Sequence, residues 1–269
     1  MENLNEKFED IEKLTIYIDK FAQVGQEMLS NFSKIREYNF YHEQMLVLIL
    51  ERLVYNSISI KCILIEFLKT KNPHLEYSIG LLIRNCTSDI ITIGYINYLG
   101  GEKKMSKNEL EEEMKAFLGN QIIRSIENYK KISIAKYKEI SEKVTQKYPL
   151  LFELNEKQEI MELYNKMIKV PSMTLMAEKC NILFKNYFGD IKNRWLNYSK
   201  YEHLGILTYD ILRLDLNKKI DDIVFSISII IKASRIIIHN QADSKFDKNL
   251  YEKKIDLILH EFSNDFFKR

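Results

Sequence analysis

Three prolines and eight glycines in 269 residues leave little material for tight turns. A sandwich or barrel needs many of them, so long uninterrupted elements are expected, and that favours helices. Cysteine is as scarce: Cys62, Cys86 and Cys180 stand singly and far apart, which gives neither a disulfide framework nor a CxxC metal knuckle. A reducing, cytoplasmic setting is the expectation. No apolar run approaches the ~18 residues of a membrane span, and "MENLNEKFEDIEKL" is too charged for a signal peptide. No Walker-type phosphate loop and no GxGxxG occurs, so a P-loop or Rossmann nucleotide site is unsupported. The scattered Cys and His form no metal set, and no cofactor is expected.

What is present has the balance of a folded soluble chain, with 46% hydrophobic and 29% charged residues. Forty basic against 38 acidic residues create no overall field for nucleic acid or anionic lipid, so any such binding must be local. Apolar residues recur every three or four positions from Leu4 to Leu29, the period of one helical face. The segment from Tyr41 to Leu68 is apolar nearly all round and predicts a central buried helix, ended by Asn72-Pro73. A third helix is expected over Leu75 to Leu99, broken by Gly100-Gly101.

Ser106 followed by Glu109 forms a capping-box pattern and predicts a helix running on toward Tyr148-Pro149, with Gly119 the place for a bend. A shorter helix is expected at Asn155 to Ile168, then one after Ser172, a plausible N-cap. Ile191 to Tyr201 and Ile220 to His239 read as helices. Ser244 with Asp247 predicts the cap of a last one, with Leu250, Ile255, Ile258, Leu259 and Phe262 along its apolar stripe. The chain therefore reads as all-α, a single-domain multi-helix bundle over 1–269. An N-terminal helical arm at 1–35 and a helical subdomain at 106–169 are the divisions it allows.

Five histidines supply the candidate acid/base groups. His42 in "YHEQML" lacks the second histidine of a zinc-protease helix, His74 reads as a solvated helix start, and His260 as an interfacial or core position. Arg235 and His239, four apart, share a helix face and could pair a cation with an acid/base group; the stronger reading of His239 is a helix C-terminus, which attracts a protonated ring. His203 sits with Tyr198, Ser199 and Tyr201 in "LNYSKYEHLG". Arg84 and Asp89 lie in the apolar "GLLIRNCTSDIITIGYINYL", about 140° apart on an ideal helix. Each needs a partner from another helix, Glu51 or Glu66 for instance in the case of Arg84, or a phosphate. From Gln121 to Tyr148 seven basic residues outnumber three acidic ones, with Tyr129 and Tyr137 interleaved, a pattern suited to RNA or to a solvated helix face. Residues Ile90 to Leu99 would suit a membrane surface only if they were exposed.

Taken together, "VPSMTLMAEKCNILFKNYF", "LNYSKYEHLG" and "LLIRNCTSD" resemble a family of uncharacterised bacterial helical proteins, distantly similar to HEPN domains, some of which are ribonucleases. Arg84, Asp89, Tyr198, Ser199 and His203 occupy the matching positions, over about residues 40 to 240. The HEPN ribonuclease pattern places four to six residues between Arg and His, whereas Arg235 and His239 have three between them. The resemblance implies a HEPN-like core with additional helices, RNA or a nucleotide as partner, a homodimer, and a role in defence or stress. It also implies RNA cleavage without metal, with His203 moving the proton and Arg84 stabilising charge. Tyr198, Ser199, Tyr201, Asp89, Arg235 and His239 would support them. The competing expectation is a non-catalytic interaction module in which Arg84, Asp89 and His203 form a structural polar cluster.

Overall fold

A computed structural model describes residues 2–34, 41–72, 75–164, 171–188, 191–199, 216–240 and 246–268. Among the described residues it holds nine helices: α1 (Glu2–Ser33), α2 (Tyr41–Thr70), α3 (Leu75–Gly101), α4 (Lys107–Ile132), α5 (Ile134–Lys147), α6 (Met173–Phe188), α7 (Ile191–Ser199), α8 (Leu216–His239) and α9 (Lys248–Phe266). Two short strands, β1 (Phe152–Leu154) and β2 (Ile160–Glu162), complete it. The chain is thus mostly helical rather than purely so. It gathers into two compact units, one of residues 1–39, 43–98 and 173–269, the other of 40–42 and 99–172.

In the first unit α1 lays its apolar stripe, Ile11, Leu14, Ile18 and Phe21, into the core and packs against α8 and α9. Tyr17 meets Phe262 edge-on, and Phe32 stacks on Phe246. At Gly25 the α1 backbone comes so close to α2 that a Cβ there would run into Val54. The segment expected to be a buried centre is one: Leu46, Leu50, Leu53 and Val54 are sealed from solvent, although Leu48 is exposed. Ile90, Ile93 and Ile96 of α3 are buried too. That removes the membrane face envisaged at Ile90 to Leu99.

In the second unit the capping box forms as its spacing predicts. Ser106 Oγ accepts from Glu109 N–H at 3.3 Å and Glu109 Oε2 accepts from Ser106 N–H at 2.7 Å. The helix does not run on to Tyr148, because Ser133 ends α4 and N-caps α5, its Oγ accepting from Lys136 N–H. Ile122, Ile123, Val144 and Tyr148 pack against one small core of Ala116, Leu151, Phe152 and Tyr164. The two helices also contact each other, Lys130 lying over the Tyr137 ring and Lys136 over that of Tyr129, so α4–α5 is an antiparallel hairpin with Ser133 at its tip.

The helix expected at Asn155 to Ile168 is instead the β1–β2 hairpin, Leu154 pairing with Ile160 and Phe152 with Glu162. Asn155 causes the difference. Its Oδ1 accepts from the N–H groups of Lys157 and Glu159, both at 2.9 Å, and Gln158 turns left-handed at φ 61°. Such a side-chain turn competes directly with a first helical turn. The rest of that expected helix, 165–168, lies outside the described residues. The last helix also starts differently in detail: Asp247, accepting from Leu250 N–H at 3.0 Å, is its cap, and Ser244 lies outside the described residues. Leu250, placed on the apolar stripe, is exposed, while Tyr251 is buried.

Candidate functional site

The site is built on α7, a nine-residue helix held on two sides within the first unit. Toward α3, Arg84 Nε–H donates to Ser199 Oγ at 3.3 Å and Trp195 Nε1–H donates to Ser88 Oγ at 3.1 Å. Arg84 and Ser88 are one turn apart on α3, as Trp195 and Ser199 are on α7. The earlier residue of each pair meets the later one of the other, so the two helices cross antiparallel here. Local bonds close the circuit: Ser88 Oγ–H donates to the Arg84 carbonyl at 3.1 Å, and Ser199 Oγ–H to the Trp195 carbonyl at 2.7 Å.

Toward α8, Tyr198 is 6% exposed and its OH lies 3.3 Å from Ser226 Oγ. Ser226 spends its own proton on the Asp222 carbonyl at 2.7 Å, so Tyr198 is the donor in that pair. Burial pushes the Tyr198 phenol well above its ordinary value, with the Asp222 charge adding to the effect. Arg194 lies 3.8 Å over the Phe225 ring and 3.3 Å from Asp222 Oδ1. Lys192 binds Glu178 of α6 at 2.5 Å. Between the first turns of α3 and α8 a Glu76–Lys219 ion pair is buried.

The other expected residues go elsewhere. Asp89 pairs with Arg52 of α2 at 3.2 Å, which meets the need for a partner from another helix but takes the carboxylate to the α2–α3 contact rather than to Ser199. Burial raises its pKa from 3.8 to about 7, and Arg52 opposes that shift. Arg84 meets the Ser199 hydroxyl. Arg235 and His239 face α9, at 3.2 Å from Asp256 and 3.7 Å from Glu252. His239 is the last residue of α8, as expected of a helix C-terminus. His42 is buried beside Glu111 at 3.5 Å, and that carboxylate also accepts from Tyr41 N–H at 2.7 Å, capping α2. His260 is exposed and bonded to Asn264, contrary to its expected core or interfacial position. Tyr201, His203 and His74 lie outside the described residues.

Among the described residues no group of three or more His, Cys, Asp or Glu is placed to hold a metal ion, and no helix is long and apolar enough to cross a membrane. No protein-family profile, curated protein or solved structure matches the chain. Ser88 and Trp195 were within reach of sequence reasoning, each one helical turn from a residue already singled out. Arg52, Asp222 and Ser226 carry no comparable signal.

Proposed function

We propose that the α3–α7 crossing is the phosphate-recognising site of an RNA- or nucleotide-binding protein, HEPN-like in its core and acting in defence or stress. The observation that supports this is the approach of Arg84 to Ser199 across 115 positions of sequence. A guanidinium is a planar donor fork that can recognise a phosphate, and the Ser199 hydroxyl fixes this one through its Nε–H. In this reading the chain works as a cytoplasmic homodimer. Where it cleaves RNA, His203 takes the proton of the attacking 2′-OH and Arg84 stabilises the charge growing on the phosphate.

A second reading draws on the closed circuit through Arg84, Ser199, Trp195 and Ser88. Side chains that spend polar atoms on one another clip two helices together, and the protein is then a non-catalytic interaction module. The two separate in one experiment: metal-free cleavage and filter binding of a mixed RNA pool by the wild-type protein, Arg84→Ala and His203→Ala, each shown folded by circular dichroism. Cleavage lost in both variants supports the ribonuclease. Binding lost only in Arg84→Ala supports a non-cleaving RNA site. Wild-type protein that neither binds nor cuts removes the first reading.

A further inference from the structure

The tip of the α4–α5 hairpin has a composition that the α3–α7 site does not use. Ser133 alone separates the two helices, and the isoleucines flanking it, Ile132 and Ile134, are 77% and 66% exposed. From Tyr129 to Lys138 the tip carries four lysines, Lys130, Lys131, Lys136 and Lys138, and no acidic residue. Tyr129 and Tyr137 hold two of these cations in place, with Lys130 Nζ 5.3 Å from the Tyr137 ring centre and Lys136 Nζ 6.0 Å from that of Tyr129. Lys130 also binds Glu159 of the β-hairpin turn at 2.8 Å, which leaves Lys131 and Lys138 as the outward charges on the two helices.

We infer that this tip docks on an anionic lipid surface, with Ile132 and Ile134 entering the headgroup boundary and the lysines meeting lipid phosphates and carboxylates. Two β-branched aliphatic side chains held in water at a helix break gain by leaving it, and an interfacial anchor pairs such an apolar point with basic residues. Anionic headgroups supply the complementary charge, each nearby lysine adding attraction that fades within a Debye length. Nucleic acid would satisfy the lysines and tyrosines but gives two isoleucines nothing to bury against. The lipid is therefore favoured over the RNA reading of the same basic stretch. Because Arg84 and α7 take no part, this inference stands apart from the proposed RNA site.

The test is cosedimentation of the full chain with phosphatidylcholine vesicles, with and without phosphatidylserine, beside Ile132→Ser/Ile134→Ser, Lys131→Glu/Lys138→Glu and the conservative Ile132→Leu/Ile134→Leu. Binding is expected only with phosphatidylserine and is expected to weaken with salt. Both disruptive pairs should lose at least about tenfold in partitioning, and the leucine pair should bind as wild type does. All four changed positions are exposed, so the variants should keep the wild-type circular dichroism and melting. Absence of phosphatidylserine-dependent pelleting overturns the inference. Vesicle binding that the serine pair leaves unchanged also overturns it, as would a surface whose lysines bind single-stranded RNA and no vesicle.

Discussion

Arg52 and Asp89 meet across α2 and α3 with opposite exposures: Nη2 lies 3.2 Å from Oδ1, the arginine side chain is 59% exposed and the aspartate side chain 6%. The second carboxylate oxygen, Oδ2, is buried with no hydrogen-bond partner among the described residues. Desolvation therefore outweighs the single partly solvated cation, and the carboxyl titrates near neutrality.

That relationship fixes a pH dependence. The folded pKa, about 7, lies above the ordinary 3.8, so between those values the folded chain holds a proton that the unfolded chain has released. Stability from this group is present at the acid end and falls as pH rises through that window, by roughly 2–4 kcal/mol. Urea unfolding at a series of pH values should show that slope in the wild type and a flatter one in Asp89→Asn, with the variant at least as stable as wild type at pH 8. A variant with an unchanged slope would assign the dependence to another group.

The close approach of Gly25 to Val54 predicts a coupled pair. Alanine normally gains about 1 kcal/mol over glycine inside a helix, but here its methyl group overlaps Val54, and Gly25→Ala should cost roughly 1–3 kcal/mol. Adding Val54→Ala should cost less than the sum of the two single changes, because the smaller side chain frees the space. Denaturant midpoints of the four-member cycle measure the coupling.

Glu76 and Lys219 form an ion pair buried on both sides. Lys219→Met takes the Lys219 cation away from the buried Glu76 carboxylate and should destabilise by about 3–5 kcal/mol, whereas Glu76→Leu/Lys219→Met should recover most of that loss. Thermal melts of the three proteins decide it. A double variant as unstable as the single one would show that the pair contributes more than mutual neutralisation.

The α3–α7 circuit should be worth less than it looks. Ser199→Ala removes the acceptor of Arg84 Nε–H from a half-buried site, a loss of about 0.5–1.5 kcal/mol. If Arg84 is the phosphate-binding group of an RNA site, Ser199→Ala should weaken RNA binding less than Arg84→Ala does, because the guanidinium charge remains. Equal RNA-binding losses in two stable variants would mean that geometry, not charge, dominates there.

Most of the helices were legible in the residues, since a helix is written in relations three or four positions long. The apolar period of α1, the all-round apolarity of α2, the punctuation at Gly100-Gly101 and the Ser106/Glu109 box all act within one or two turns. Where local terms nearly balanced, the reading failed. The stretch after Asn155 is polar enough for a solvated helix, yet one Asx turn and a left-handed Gln158 bend it into a hairpin, and Ser133 stops a helix with neither glycine nor proline beside it.

The sequence by itself determined that the chain is mostly helical, that its long apolar segments are buried and that Arg84 and Asp89 each need a partner from another helix. Which partner each receives was decided only in three dimensions. Arg84 and Ser199 meet because α3 and α7 cross antiparallel with those turns facing, and Asp89 finds Arg52 because α2 brings that residue to another face of α3. Such pairings depend on how apolar faces are used up in packing, a choice that involves every helix at once, so no short window of residues contains it.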